Sequence, residues 1–310
     1  MSWNLYLPLA GNSINILLLF GLGGAVGFLS GVFGVGGGFL MTPLLIMVGI
    51  PSTVAAASDS NQIVAASTSA SYAHYRLGNV DFKMGAFLII GGLLGGTLGV
   101  QFIKLLRAMG NADFVIKITY VVMLGVIGFY MFAESLQSMR KKPVETPRVE
   151  APAKVSLYNR MIQALPYQMK FEKSGVVLSP ILPLVLGVFV GILAAIMGVG
   201  GGFIMVPVMV YMLRMPMHVV VGTSLVQILF TCINVTIMQS ASNHTVDMIL
   251  AIILLLGSTL GAQFGVRLSR RLKADQLKIL LASIVLLVMV QMLVSLVLPP
   301  HLLLAPKGGH

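Results

Sequence analysis

The chain has 310 residues, of which 57% are hydrophobic and 9% are charged, and its formal net charge is +11. Because a soluble domain carries about 25% charged residues, this composition excludes a large soluble protein and predicts a membrane protein. The positive charge does not indicate a nucleic-acid partner, since the lysines and arginines lie mainly between apolar runs, as they do in membrane proteins.

The apolar segments that suit helices fall into two sets. The first set covers residues 14–33, 39–49, 54–72, 82–106 and 114–132, and the second covers 176–197, 203–213, 219–238, 248–268 and 277–298. A full membrane span needs about 20 residues. The second segment of each set is about half that length, so it predicts a half-helix or a short tilted span that completes a hairpin. No lysine or arginine precedes the first run, which is long and rich in glycine, so we expect a retained helix rather than a signal peptide.

The hexapeptide GVGGGF occurs twice, at residues 34–39 and 198–203, and each copy precedes a half-length segment. Glycine gives up helical order readily, so each copy predicts a broken helix at membrane depth. Matched breaks in two halves of a chain indicate a transporter's binding site, where helix N-termini suit an anion. The alternative is close helix–helix packing, since small residues also line membrane interfaces. The predicted binding residues here are Gly36, Gly37, Gly38, Phe39, Gly200, Gly201, Gly202 and Phe203.

The two sets form an internal repeat. Matches in the same order are Pro51 with Pro216, Ser58 with Thr223, Gln62 with Gln227, Asp81 with Asp247, and GTLGVQF at 96–102 with STLGAQF at 258–264. Each half has three clear spans and a glycine-broken pair that begins and ends on one side, whether it crosses twice or is re-entrant. Each half therefore makes an odd number of crossings. We predict an all-α polytopic membrane protein with two inverted-topology repeats.

The chain divides into a first repeat at 1–137, a basic linker at 138–175 and a second repeat at 176–310. Three prolines make the first part of the linker extended or disordered, and residues 156–171 form either a basic amphipathic segment on the lipid surface or a solvated linker. One side of the membrane collects the linker and most other basic residues, whereas the other side has only Lys104, Arg107, Lys117 and Lys307. The linker side is then cytoplasmic, both termini are outside, and the bacterial inner membrane is the expected location.

Polar side chains interrupt the third segment of each set. They are Ser58, Asp59, Ser60, Asn61 and Gln62 in the first half, and Thr223, Ser224 and Gln227 in the second. Their hydroxyls and amides can complete an anion site or can hold neighbouring helices together, and both alternatives stay open.

Asp59 is the one carboxylate near the middle of an apolar segment. A charge there costs about 2.5–3.5 kcal/mol, so we expect Asp59 to face a cavity or to carry a proton. Our hypothesis is that Asp59 couples transport to H⁺; the alternative is a neutral or hydrogen-bonded aspartate that caps a broken helix. Asp81, Asp113, Asp247 and Asp275 each stand just before an apolar run and are predicted helix N-caps.

The sequence gives no sign of an enzyme or of a cofactor. A nucleophile with a base, a paired metal motif and a Walker A loop are all missing from it, and Cys232 is its single cysteine. Energy for transport would then come from an ion or substrate gradient.

The chain resembles the sulfite exporter TauE/SafE family of membrane permeases. The resemblance rests on the paired GxGGGF segments with a downstream proline, on GTSL at 222–225 and on an RxGxVD stretch at 76–81. It covers residues 17–130 and 182–292, and the corresponding element of the first half reads ASDS at 57–60. The resemblance implies a permease for small sulfur-containing anions such as sulfite or organosulfonates, most simply an exporter.

We therefore expect a secondary transporter that binds such an anion at the bilayer midplane and alternates access by rocking of its halves. The alternative on the same scaffold is a passive anion channel, which would show neither saturation nor proton coupling.

Overall fold

The computed structural model describes residues 4–33, 38–140, 166–269 and 274–297, and this part of the chain is mostly helical. In the first half, strands β1 (Asn4–Leu7) and β2 (Asn12–Asn15) precede α1 (Ile16–Phe33), α2 (Gly38–Met47), α3 (Ser52–Arg76), α4 (Phe82–Ala108) and α5 (Ala112–Arg140). In the second half, β3 (Met169–Phe171) and β4 (Val176–Leu178) precede α6 (Ile181–Met197), α7 (Gly202–Pro207), α8 (Met217–Met238), α9 (Met248–Ser269) and α10 (Ala274–Val297). The two halves present the same order of elements.

Each half begins with a short antiparallel hairpin that the sequence analysis missed. Residues 14–15 and 176–178, predicted as helix, belong to β2 and β4. Both hairpins close with the same turn: the N–H of Gly11 donates to the carbonyl of Leu7 at 2.9 Å, and that of Gly175 to Phe171 at 2.8 Å. Both glycines have positive φ, which favours glycine because it has no Cβ to clash.

The half-length segments after the glycine clusters are short helices, as predicted. Helix α2 has 10 residues, and α7 has 6 residues before it continues as a π-helical turn at Val208–Met212. Neither is long enough to cross a bilayer alone, which needs about 20 residues.

Four helices of the described chain are long and apolar enough to cross a membrane. They are Phe82–Ala108, Ala112–Tyr130, Val219–Asn243 and Met248–Gly265. Shorter apolar helices cover Ile16–Ser30, Gly38–Met47, Ile181–Met197 and Ala282–Val297. The helix α3 is long but carries many polar side chains, most of which are buried inside the protein.

The two halves are interleaved rather than side by side. Helix α1 of the first half packs against α9 of the second, and α6 of the second packs against α4 of the first. Helices α3 and α8 also pack against each other, as do α5 and α10. Most of the extensive helix contacts therefore join one half to the other.

Glycines allow the closest of these contacts. A Cβ on Gly27 of α1 would overlap the carbonyl of Ser258 in α9, and a Cβ on Gly95 of α4 would overlap the carbonyl of Val188 in α6. Backbones approach this closely in membrane proteins where small residues line both helices. Close packing thus accounts for the glycines that lie at these crossings, such as Gly27, Gly95, Gly191 and Gly261.

The predicted N-caps are confirmed at Asp81 and Asp247. Asp81 accepts a hydrogen bond from the N–H of Met84 at 3.1 Å, and Asp247 accepts from the N–H groups of Ile249 and Leu250 at 3.1 Å. Asp113 is the second residue of α5 rather than the residue before the helix, and its carboxylate accepts a hydrogen bond from the Ser52 hydroxyl. The prediction that Asp113 is the N-cap is therefore wrong. Asp275 lies just after the start of α10, and its side chain is outside the described residues.

Most of the predicted linker, including residues 141–165, lies outside the described residues. The hairpin of β3 and β4 pairs residues from both sides of the predicted boundary at 175/176. The division into two repeats and a linker stays a prediction, and the shared hairpins favour a second repeat that starts near β3.

Candidate functional site

The two glycine motifs meet at their phenylalanines. The rings of Phe39 and Phe203 stack with centroids 4.4 Å apart and planes 13° from parallel, and both side chains are buried. Gly38, the first residue of α2, also lies against the second motif, since its Cβ would stand 3.3 Å from the Cα of Val199. Sequence neighbours Gly36 and Gly37 are outside the described residues.

The second break lies between α6 and α7 and has left-handed backbone at three glycines. Gly198, Gly200 and Gly201 have φ of 74°, 69° and 79°, which side chains with a Cβ rarely adopt. A Cβ on Gly198 would overlap the carbonyl of Ala56 in α3, and one on Gly200 would lie 2.5 Å from Sγ of Cys232 in α8. Glycine is therefore required here both for backbone conformation and for contact with α3 and α8.

Ser58 and Thr223 occupy matching positions and make matching bonds. The Ser58 hydroxyl accepts from the N–H of Asp247 at 3.1 Å, and the Thr223 hydroxyl accepts from the N–H of Asp81 at 3.0 Å. Each hydroxyl thus holds the start of a helix that belongs to the other half. These hydroxyls therefore hold neighbouring helices together, which is one of the two alternatives that the sequence left open. A contact of either hydroxyl with a ligand stays a prediction.

The hydroxyls of Ser60 and Ser224 also have protein partners. Ser60 donates to the carbonyls of Ala56 at 3.1 Å and Gly198 at 3.3 Å, which ties α3 to the second break. Ser224 donates to the carbonyl of Val221 within its own helix at 3.1 Å. Asn61 is only partly buried.

Gln62 and Gln227 share one feature: each uses its amide nitrogen in a bond within the protein and leaves its amide oxygen unpaired among the described residues. The amide nitrogen of Gln62 donates to the Ser258 hydroxyl at 2.6 Å, and that of Gln227 donates to the Thr231 hydroxyl at 2.8 Å. Both amide oxygens are buried and have no partner in the described chain. Because an unpaired buried polar group costs about 1–3 kcal/mol, these two oxygens favour a ligand or water molecule that donates a hydrogen bond to them.

Asp59 is fully buried in α3. The Thr42 hydroxyl of α2 donates to its Oδ2 at 2.9 Å, while Oδ1 has no partner in the described chain. The ion pair recorded among the described residues, Lys83 with Glu172, does not involve Asp59. A buried carboxylate without a paired cation is unfavourable, so Asp59 needs a proton or a bound cation.

Two residues near Asp59 were missed by the sequence analysis. Thr42 interrupts the apolar helix α2, which is a usable signal because polar residues inside membrane helices are uncommon. Tyr120 of α5 is fully buried, interacts with Thr42 and Asp59, and donates its hydroxyl to the carbonyl of Met197 at 2.5 Å. A single tyrosine in an apolar run gives no local sign of this role.

Comparison with curated proteins finds relatives along nearly the whole chain. The probable membrane transporter protein YjnA of Bacillus subtilis is 28% identical over 88% of this chain and 97% of that protein. A probable membrane transporter protein of Xylella fastidiosa strain 9a5c is 25% identical over 84% of this chain and 88% of its own. Sulfite exporter TauE/SafE family protein 2 of Arabidopsis thaliana is 31% identical, over only 31% of this chain and 21% of that protein. No solved structure matches the chain.

The family profile described as sulfite exporter TauE/SafE matches residues 19–292. That range contains the described α2 to α9, both motif phenylalanines and every polar residue of the site. The match and the apolar helices describe a multi-pass membrane transporter and not an enzyme. The chain belongs to the sulfite exporter TauE/SafE family.

Proposed function

We propose that the protein is a secondary transporter that exports small sulfur-containing anions, such as sulfite or an organosulfonate, by alternating access. The observation that carries this proposal is the meeting of the two glycine motifs at Phe39 and Phe203. It supports a single site between the halves, because the phenylalanine that ends each motif comes from a different half and the two rings stack on each other.

Reciprocal contacts support an inverted repeat. Helix α1 packs on α9 as α6 packs on α4, and the bond from Asp247 to Ser58 has its counterpart in the bond from Asp81 to Thr223. Such reciprocity is expected of two halves related by a two-fold axis in the membrane plane. Rocking of one half against the other would then open the site to each side in turn. The lysine and arginine distribution supports a cytoplasmic linker and external termini.

The anion would lie at the midplane between the two breaks. Its negative oxygens would meet backbone N–H groups at 36–39 and 200–203 and the second amide N–H of Gln62 and of Gln227, since each amide nitrogen has two N–H groups and donates one of them to a hydroxyl of the protein. The neighbouring polar residues Ser58, Ser60, Asn61, Thr223 and Ser224 would complete the surroundings. Asp59 would carry the proton that couples transport to a pH gradient.

The test is sulfite flux in proteoliposomes that contain the purified full-length protein, with and without an imposed pH gradient. Saturable flux that follows the gradient supports a coupled carrier. Flux that rises linearly with sulfite and ignores the gradient indicates the passive channel. Absence of flux in both conditions excludes sulfite, and an organosulfonate panel then tests the wider substrate class.

The glutamines give the matched variants. Gln227→Leu should raise the KM for the anion about tenfold, because it removes a charge-assisted hydrogen bond of about 1.5 kcal/mol. Gln101→Leu is the control, since Gln101 lies exposed on α4. Equal KM values for the two variants would remove Gln227 from the site.

A further inference from the structure

A buried hydrogen-bonded cluster joins the first half to the end of α6. Thr42 of α2 donates to Asp59 of α3 at 2.9 Å and lies near Tyr120 of α5, whose own hydroxyl donates to the carbonyl of Met197 at 2.5 Å. Met197 is the last residue of α6, and the second glycine break begins at the next position. The cluster therefore extends from the buried acid to the backbone of the break.

Two hydroxyls of the first half hold this end of α6. Tyr120 binds the carbonyl of Met197 at 2.5 Å, and Ser60 binds the carbonyl of Gly198 at 3.3 Å. The last carbonyls of a helix have no partner within the helix and carry its partial negative charge. Loss of either hydroxyl would leave a carbonyl unpaired and would favour movement of the break.

The surroundings of Asp59 oppose its ionised form. Thr42 faces it from α2, Tyr120 from α5 and Cys232 from α8, and α6 presents carbonyl oxygens. On the side of α9, the titratable group tied to this stretch of α3 is Asp247, whose N–H binds Ser58. None of these groups is a cation, so an ionised Asp59 would draw on the hydroxyl of Thr42, which already donates to it, and through Thr42 on the hydroxyl of Tyr120.

We propose that Tyr120 is the positioning residue that couples protonation of Asp59 to the second glycine break. With a proton on Oδ1, Asp59 is neutral and Tyr120 holds the carbonyl of Met197, as in the structure. When that proton leaves to water, the Tyr120 hydroxyl reorients to donate to the oxygen of Thr42, whose own hydroxyl already donates to the carboxylate, and the end of α6 is released. The Tyr120 proton stays on its own oxygen throughout. This inference rests on the proton coupling proposed above.

The second half has no equivalent cluster. The repeat places Val206 opposite Thr42, Ser224 opposite Asp59 and Ala282 opposite Tyr120. A single proton site would thus act on a single break, the one between α6 and α7. One half would respond to protons directly and the other only through contact with it.

The chain contains its own reporter of the break. Cys232 is its single cysteine, is buried, and lies so close to the second break that a Cβ on Gly200 would stand 2.5 Å from its sulfur. Release of α6 should expose this thiol to a small maleimide such as N-ethylmaleimide. Comparing variants with the natural chain at one pH cancels the thiol's own pH dependence.

The experiment measures labelling of Cys232 over a pH series in the purified full-length protein. Tyr120→Phe keeps the buried ring and removes only the hydroxyl. At low pH it should label about fivefold faster than the natural chain, the factor expected for one lost hydrogen bond of about 1 kcal/mol. At high pH the two rates should converge, because the natural chain has then already released Met197. Tyr72→Phe, at an exposed position of α3, is the control and should follow the natural chain throughout.

Thr42→Val tests the connection between Asp59 and Tyr120. It should slow the labelling of Cys232, whereas Tyr120→Phe should speed it. It disconnects Tyr120 from Asp59, so labelling should stay slow at every pH. Valine stands at the matching position of the second half, which makes the change a mild one for the fold. A rate ratio for Tyr120→Phe that is constant with pH, or natural pH dependence in Thr42→Val, would overturn the proposal. Labelling governed by Na⁺ rather than by pH would also overturn it.

Transport in proteoliposomes gives the second readout. Tyr120→Phe should lose sulfite accumulation driven by a pH gradient and retain sulfite exchange at equal pH on both sides. If the natural chain moves no sulfite but the labelling pattern appears, the substrate assignment fails and the coupling stands. If sulfite flux follows the gradient and all variants label alike, the coupling role of Tyr120 fails alone.

Discussion

The two hairpins have the same turn but make different bonds with the helix caps of the protein. In the hairpin of β3 and β4, the N–H of Ser174 donates to Oδ2 of Asp81 at 3.1 Å, and the Ser174 hydroxyl binds the same oxygen. The matching residue in the hairpin of β1 and β2 is Ala10. Oδ2 of Asp247, the counterpart of Asp81, is buried and has no partner in the described chain.

The difference separates what the repeat shares from what it does not. Backbone geometry is common to both halves, as the turns at Gly11 and Gly175 and the reciprocal bonds of Ser58 and Thr223 indicate. Two sets of polar bonds lack a counterpart among the described residues of the other half: the Ser174 bonds to Asp81, and the bond of Thr42 to Asp59. Under the proposed orientation, the hairpin bonded to its cap is the cytoplasmic one, and the external hairpin is free to move away from Asp247.

The glycine crossings should be equally sensitive in both halves, and they carry the largest expected effect. A Cβ on Gly95 would overlap the carbonyl of Val188, and a Cβ on its counterpart Gly257 would lie 2.5 Å from the carbonyl of Phe20. Alanine at either position should cost about 1–3 kcal/mol or more, because the obstructing atoms belong to backbone. Thermal unfolding in detergent measures the loss.

Gly21→Ala is the control for these variants, since Gly21 lies on α1, the helix that Gly257 packs against, and nothing lies within 4 Å of the Cβ that alanine would add. It should leave the Tm unchanged or raise it, because alanine favours helix over glycine. A loss at only one of the two crossings would show that the halves do not share this packing.

The caps should respond unequally. Asp81→Asn replaces an oxygen that accepts two bonds from Ser174 with an amide group that points a donor at a donor, and we expect a loss of about 1–3 kcal/mol. Asp247→Asn should cost much less, since its Oδ2 has no partner to lose. Both variants keep the cap bonds of Oδ1. Equal Tm values for the two variants would contradict the asymmetry.

Ser174 and Ala10 stand at matching positions of the two hairpins, so each can be replaced by the residue of the other. Ser174→Ala should lower stability by about 1 kcal/mol, the net worth of a typical hydrogen bond. Ala10→Ser should raise it by a similar amount if the external hairpin can bring its hydroxyl to Asp247. Hydrogen exchange of the β1–β2 amides measures the second effect directly, and an unchanged exchange rate would mean that Ala10 does not lie where Ser174 does.

Sequence reasoning succeeded where backbone conformation leaves a local pattern. The repeated hexapeptide predicted both the short helices after the breaks and the region where the halves meet, because glycine acts on the backbone at its own position. The alignment of Ser58 with Thr223 was correct, but their use as caps for the opposite half was not foreseen. Sequence reasoning missed Thr42 and Tyr120 because their hydrogen-bond partners lie 17 and 77 residues away along the chain. The hairpins escaped because strands of three or four residues beside apolar helices show no alternation of their own.

The smallest expected effect concerns the ion pair beside the Ser174 bonds. Lys83 and Glu172 lie 3.8 Å apart with side chains 60% and 79% exposed. Exposed pairs contribute about 0–1 kcal/mol, so Glu172→Gln should change the Tm less than Ser174→Ala does. Glu172 and Ser174 lie in the same turn between β3 and β4, which makes Glu172→Gln and Ser174→Ala a matched pair of variants. A larger loss from Glu172→Gln would mean that charge, and not the buried bonds to Asp81, holds this hairpin to the start of α4.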